Sequence, residues 1–309
     1  MSIAILLATY NSERYLHDLL DSLFTQTITD FKCYVHDDGS TDGTKDILKD
    51  YSERYRGSIQ VLEYAPTGSA KANFLSMLQY VEEEYVMFCD HDDVWKNDKI
   101  ESSLNKIKEI EGTEPALVFG DMVVVDEKLN VIHPSFMQYT GINPNNTSLN
   151  MLLVSNVVPG CTVIMNKKLY TIVRKCADYS HIRMHDQWCA MVAASTGKVV
   201  YLNKPTLLYR QHIDNVKGAG KQKSKMGKII YIIKRLTSLS FFKERDEWHR
   251  MMAMQAYELS LLEEIDEKSR YLSEGFYNIQ SKGKISRLLF YLKNNIHREK
   301  DNWWLLLWC

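Results

Sequence analysis

The 309-residue sequence predicts an α/β protein with a doubly wound, mainly parallel sheet. Three observations predict it. Short apolar runs alternate with helical patterns through the first 125 residues. Runs such as "AILLA" and "YVMFC" are apolar at every position, as strands covered on both faces are. Three of these runs end in polar loops, "ATYNS", "HDDGSTDGT" and "CDHDDVW". In such sheets ligands sit beyond the carboxyl ends of the strands.

The elements follow in order. Strands are expected at 3–8, 32–36, 59–63, 85–89 and 116–125, and helices at 12–24, 43–54, 69–81 and 97–110. "NPNNTS" then marks a turn-rich loop. "GCTVIM" reads as a strand, 167–176 as a helix and "HDQWCAMVAASTG" as a helix with its start. "KVVYLNKPTLLYRQH" reads as two strands or a hairpin. The basic stretch "KGAGKQKSKMGK" resembles a flexible linker, and the chain from Lys221 onward reads as wholly helical.

Composition narrows the functional classes. A net charge of −1 gives no electrostatic case for nucleic-acid binding. The six cysteines form no CxxC pair and no metal spacing, so buried free thiols in a reducing compartment are expected. "MSIAILLATYN" lacks a basic start and reads as a first strand, not a signal peptide. No apolar run is long enough for a spanning helix. A cytoplasmic protein is expected.

Four stretches carry chemistry. In "HDDGSTDGT", Asp37 and Asp38 end a strand and Gly39 permits a tight turn. A well-made strand–helix junction accounts for this; so does a carboxylate placed to accept the imide N–H of a pyrimidine base. In "CDHDDVW", Asp90 and Asp92 form an Asp-x-Asp, which offers oxygen ligands to Mg²⁺ or Mn²⁺. Acids at a helix N-terminus also satisfy the helix dipole. Asp186 in "MHDQW" opens an apolar helix, either as a cap or as a general base for an attacking hydroxyl, with His185 beside it. Arg210 and His212 in "LLYRQH" suit phosphate oxygens, and imidazole also ligates metal. Lys71 in "GSAKANF" lines base or phosphate, or merely belongs to a capped helix start. Trp95 is a packing or acceptor-side residue.

In their order along the chain, "LLATYNSERYLHDLLDSLFTQT", "DDGSTDGT", "CDHDDVWKNDKI", "GCTVIMNK" and "HDQW" resemble the inverting glycosyltransferases of family 2, whose nucleotide-sugar-binding fold is called GT-A. "DHDDVWKNDKI" and "YRQHIDNVKGA" resemble the bacterial rhamnosyltransferase branch most. The resemblance implies a GT-A catalytic domain over 1–219, nucleotide-binding to about 125 and acceptor-binding from 126, followed by a helical region over 220–309. It implies that Asp38 pairs with the base, flanked by Thr9 and Tyr10, with Lys71 and Asp90 on the nucleotide side. Asp92 and His212 then hold the divalent cation, Asp186 is the catalytic base, and Arg210, His185 and Trp95 face the diphosphate or the acceptor. The implied reaction moves a sugar, L-rhamnose from dTDP-rhamnose, onto a hydroxyl of a saccharide or lipid-linked saccharide. The chain departs from relatives that carry Gln-x-x-Arg-Trp, which puts processive synthesis in doubt.

Two rivals remain. A nucleotidyltransferase also holds metal on acids, but this chain lacks a Gly-rich basic loop near its start. A non-catalytic sugar-nucleotide-binding or scaffold subunit would keep the fold and dispense with Asp186. The last third carries apolar residues at helical spacing, from Ile229 to Leu262, and the tail "DNWWLLLWC". It is expected to pack on the catalytic domain or on a second copy of the chain, or to touch the inner face of the membrane.

Overall fold

The computed structural model describes residues 2–212 and 239–297, with the side chains of the second segment given from residue 243. The "KGAGKQKSKMGK" linker, the apolar residues from Ile229 to Leu239 and the tryptophan-rich tail, all singled out above, lie outside the described backbone or side chains.

Strands and helices alternate as the apolar rhythm requires: β1 Ile3–Thr9, α1 Leu16–Phe24, β2 Lys32–Asp37, α2 Thr44–Arg54, β3 Ile59–Val61, α3 Ala70–Met77, β4 Tyr85–Asp90, β5 Val94–Trp95, α4 Lys99–Glu111 and β6 Ala116–Val125. After them come β7 Val131–His133, α5 Phe136–Thr140, α6 Leu149–Leu152, β8 Ile164–Asn166, α7 Lys167–Val173, α8 His185–Thr196 and β9 Lys198–Arg210. The described C-terminal helices are α9 Leu239–Ser260, α10 Glu267–Ile279 and α11 Lys284–Lys293.

The strands form one sheet in the order β3-β2-β1-β4-β8-β6-β9-β5, with β7 paired to β6. β3, β2, β1 and β4 are mutually parallel, and β6 is parallel to β9. β8 runs antiparallel to both β4 and β6, and short β5 and β7 run antiparallel to their neighbours. The sheet is therefore mainly parallel, with antiparallel insertions beyond β4.

Every residue of β1 is buried, which is why "AILLA" shows no alternation. Its odd residues Ile3, Ile5 and Leu7 pack with Leu16, Leu19, Leu20 and Leu23 of α1 and with α4. That leucine spacing makes one apolar helix stripe, and each buried leucine is worth about 1.5–3 kcal/mol. The even residues Ala4 and Leu6 belong to the opposite layer, with α3, α7 and α8. Met252, Leu259, Leu272 and Phe276 of α9 and α10 join that layer, so the C-terminal helices share the core.

Two segments differ from expectation. "KVVYLNKPTLLYRQH" is neither a hairpin nor two strands. It is the single strand β9, whose register against β6 slips between Gly120 and Val123. The slip lets one continuous strand absorb Pro205, which has no N–H to give. In "GCTVIM", Gly160–Thr162 form a tight 3₁₀ turn and the strand begins only at Ile164. The Thr162 hydroxyl and amide both donate back to the Pro159 carbonyl, at 2.8 and 3.1 Å, and close the turn.

Candidate active site

Parallel register brings three polar strand ends together. Thr9 pairs with Asp37 across β1 and β2, and Ala8 pairs with Asp90 across β1 and β4. Val125 pairs with Arg210 across β6 and β9, so the last strand delivers its basic residues to the same end of the sheet.

Asp37 and Asp38 divide their work. Asp37 holds the turn: it accepts from the Thr9 hydroxyl at 3.0 Å and from the Ser40 amide at 2.9 Å. Asp38 donates its amide to the Thr9 carbonyl at 2.8 Å, and its carboxylate accepts from the Thr67 amide and hydroxyl. Gly39 has φ +89°, and a Cβ there would lie 3.2 Å from Pro66, so the turn requires glycine on both counts. Asn11 ties the two loops together by accepting from Thr41 at 2.9 Å. Beside it Tyr10 stands 57% exposed, an aromatic face open to solvent at the rim.

The second acidic loop is electrostatically crowded. Asp90 is half-buried, and its carboxyl is pushed up to about 7, first by burial and then by the charges of Asp92 and Asp186. Asp93 is fully buried and pushed well up, first by burial and then by the charges of Asp92 and Asp90. Its Oδ2 has no N–H or O–H donor among the described residues, and the Cys161 thiol is its close polar neighbour. One ligand atom from each of Asp90, Asp93 and Cys161 falls within 4.8 Å of the others. Asp92 Oδ2 lies 2.8 Å from His212 Nε2, and that ring packs on Tyr15 at 5.0 Å.

Lys99, at the start of α4, is the charge the sequence reading missed. It is wholly buried, its ammonium sits 3.6 Å over the Trp95 ring and it donates to the Cys161 carbonyl. Burial lowers its pKa to about 8, while the neighbouring acids and thiols oppose that fall. A lysine one turn past an acidic cluster in "DDVWKNDK" was the available signal. Nothing in the motif marks it as buried, and lysines are usually exposed.

Asp186 opens α8, 8% exposed, and accepts from the Gln187 amide at 2.6 Å. Gly160 lets it approach the sheet: a Cβ there would lie 2.7 Å from His185 Nε2 and 3.3 Å from Asp186 Cβ. The loop before α8 is braced from outside by α9. Gln255 accepts from the Arg183 amide at 2.8 Å, and Glu258 accepts from the Ala177 and Asp178 amides and bonds His181 Nδ1 at 2.6 Å.

Three of the singled-out residues take up structural places. Trp95 is only 3% exposed, beneath Lys99, and offers no face to an acceptor. His185 lies in the core between Phe74 and Phe88, at 4.4 and 4.9 Å between ring centroids, because α8 packs directly on β4. Arg210 is a brace, 3% exposed, and each guanidinium nitrogen has a protein partner. Its Nε donates to the Asp92 carbonyl at 3.0 Å, Nη1 to the Glu127 carbonyl at 2.7 Å and Nη2 to Asp18 at 2.7 Å. Lys71 donates to the Ile182 carbonyl at 2.5 Å, tying α3 to the loop that leads to Asp186. Thr9, Tyr10, Asp38, Asp90, Asp92, Asp186 and His212 remain at one end of the sheet. A cleft of about 620 Å³ borders Asp37, but it is walled by Lys45, Leu48 and Lys49 of α2, and Asp90, Asp92 and Asp186 do not line it.

Known proteins share the family and the fold. The model of the family "Glycosyl transferase family 2" matches residues 4–173. The dTDP-rhamnosyl transferase RfbG of Shigella flexneri is 29% identical over 224 residues, 69% of this chain and 74% of RfbG. A poly(ribitol-phosphate) beta-glucosyltransferase of Bacillus spizizenii is 30% identical over 148 residues, 42% of this chain but 23% of its own length. In fold, the crystal structure of Staphylococcus aureus TarS residues 1–349 in complex with UDP-GlcNAc is similar, with a TM-score of 0.53. That similarity covers 96% of this chain and 88% of the TarS chain at 19% identity.

Proposed function

The chain belongs to glycosyl transferase family 2, and from that premise we propose that it transfers L-rhamnose from dTDP-rhamnose to a hydroxyl of a polysaccharide precursor, inverting the anomeric carbon. RfbG, described as a dTDP-rhamnosyl transferase, supports the donor because its similarity extends well past the family-model match. One observation carries the mechanism: Asp186 and the Asp90–Asp93 loop approach closely enough for Asp186 to add to the repulsion on Asp90.

In this reading residues 1–125 hold the donor and 126–219 the acceptor. Asp38, with Thr9 and Tyr10 beside it, accepts the imide N–H of the pyrimidine. The acceptor hydroxyl has a pKa far above neutrality, and Asp186 takes its proton as the oxygen bonds to the anomeric carbon. The bond from that carbon to the diphosphate breaks on the opposite face, so a single displacement inverts the centre.

The residues present fit a hard divalent cation, Mg²⁺ or Mn²⁺. Carboxylate oxygens and one imidazole converge, and the acids repel one another, with Asp93 Oδ2 buried beside them. Asp92 and His212 would hold the ion, with Asp90 next to it. The deeper Asp93–Cys161 corner suits it less, because burial keeps the thiol protonated and Lys99 already balances charge there. When bound, such an ion neutralises charge on a departing diphosphate as a Lewis acid.

Two variants test the reading. Asp186→Asn is expected to keep the thermal stabilisation given by dTDP or UDP with Mn²⁺ while transfer falls by about 10²–10⁴-fold. Transfer near the wild-type rate would remove Asp186 as the base. Asp92→Ala is expected to lose most of the Mn²⁺-dependent stabilisation. Retention of the full shift would place the ion elsewhere.

A further inference from the structure

Helix α11 presents a face that nothing in the described residues covers. Ile285, Leu289 and Leu292 are 77, 62 and 59% exposed, and their i, i+4, i+7 spacing puts them on one stripe. The opposite side is anchored: Tyr291 is fully buried against Phe276 of α10, with ring centroids 5.8 Å apart, and Phe290 packs on Gly275. The helix is thus held firmly with its apolar stripe outward. Isolated exposed leucines need no explanation, but three in register on an anchored helix do.

The charges around the stripe are of one sign. Lys284 and Lys293 stand on either side of it, Lys282 lies just before the helix, and residues 279–297 contain no aspartate or glutamate. We propose that this face of α11 docks the protein on an anionic lipid bilayer, with the helix lying in the interface plane. An apolar stripe with basic flanks matches a surface that offers hydrocarbon below and negative headgroups around it. A second copy of the chain is the poorer occupant. A twofold contact through the stripe would set Lys284 and Lys293 against their own copies with no acid in the segment to offset them. Trp303, Trp304 and Trp308 follow in the sequence, residues of the type that favours the membrane boundary.

Packed helices connect the docking face to the acceptor side. α11 rests on α10, α10 on α9, and α9 holds the loop before Asp186 through Gln255 and Glu258. Docking would hold the protein on the surface that carries a lipid-linked saccharide; this acceptor rests on the proposed function, whereas the docking does not.

The test is flotation of the full chain with vesicles of phosphatidylcholine alone and of phosphatidylcholine with about 30% phosphatidylglycerol. The wild type is expected to float with the anionic vesicles, to float poorly with the neutral ones, and to be released by about 0.5 M salt. Ile285→Glu/Leu289→Glu should abolish flotation. Lys284→Gln and Lys293→Gln should each lower partitioning by about fivefold. Melting temperature and stabilisation by dTDP with Mn²⁺ should match wild type in all these variants, which separates lost docking from lost folding or donor binding. Flotation of the double glutamate variant at the wild-type level overturns the proposal. So does equal binding to neutral vesicles, or a wild-type dimer in solution that the glutamates convert to monomer.

Discussion

Asp90 shows how a single residue records the purpose of its surroundings. An aspartate in the unfolded chain ionises near about 3.9. Here burial and two neighbouring acids lift it to about 7. Between those values the folded protein holds a proton the unfolded chain has lost, so stability falls as pH rises through this window and is fully kept only below it. Asp90→Asn removes the window. In chelator-treated protein the variant is expected to show a flatter stability profile and, at about pH 8, to exceed wild type by up to about 2 kcal/mol, relaxation and solvent at the mouth of the site taking back the rest. Urea unfolding at about pH 5 and pH 8 measures it, and an unchanged pH slope would show that Asp90 is not under repulsion. Adding Mn²⁺ should restore the wild type at high pH, as expected if the repelling acids are there to hold a cation.

At the scale of the element, α4 is a charge carrier as well as a core helix. Its Ile100, Leu104 and Ile107 pack under the sheet, and its first residue carries Lys99 into the acidic corner. Burying an ammonium is costly unless partners repay it. Asp93, the Cys161 carbonyl and the Trp95 ring do so. Lys99→Met should therefore destabilise by about 3–5 kcal/mol near neutral pH, and by less in acid, where the carboxyls are protonated. Lys99→Met/Asp93→Asn should recover most of that loss, since removing both charges leaves neither unpaired. Denaturant melts of the single and double variants decide it, and strict additivity would disprove the coupling. The same scale explains what the sequence concealed. "DHDDVW" after an apolar strand is legible as a charged mouth. That its lysine turns inward is set by where α4 meets the Gly160–Thr162 turn, 62 residues away in sequence.

At the scale of the whole molecule, the C-terminal helices act as a brace for the acceptor side. Glu258 of α9 is buried and holds the loop before α8 through two amides and His181. Glu258→Ala leaves those donors unsatisfied, a loss of about 2–4 kcal/mol. The predicted kinetic mark is a rise in acceptor KM with donor binding unchanged, because α9 touches the loop of Asp186 and not the Asp38 turn. A change in donor affinity instead would mean the brace serves the whole site. The docking proposed for α11 belongs to this scale too, since it converts a packed appendage into a membrane-facing support.

The sequence by itself determined the alternating α/β rhythm, the acidic turns after β1, β2 and β4, and the placing of Asp186 at a helix start. These are local facts: apolar runs make buried strands, and glycine and short polar residues make the turns that end them. Only the tertiary structure decided which charged groups face the opening and which are consumed inside. Arg210 looked like a phosphate ligand, yet its partners Asp18, Asp92 and Glu127 lie 192, 118 and 83 residues away in sequence. For Trp95 and His185 the sequence left packing and ligand contact both open, and the fold placed them in the core because helices closed over them. A side chain's chemistry is written in the sequence. Whether that chemistry meets solvent or another side chain depends on strand register and helix packing, and those are settled by contacts across the whole fold.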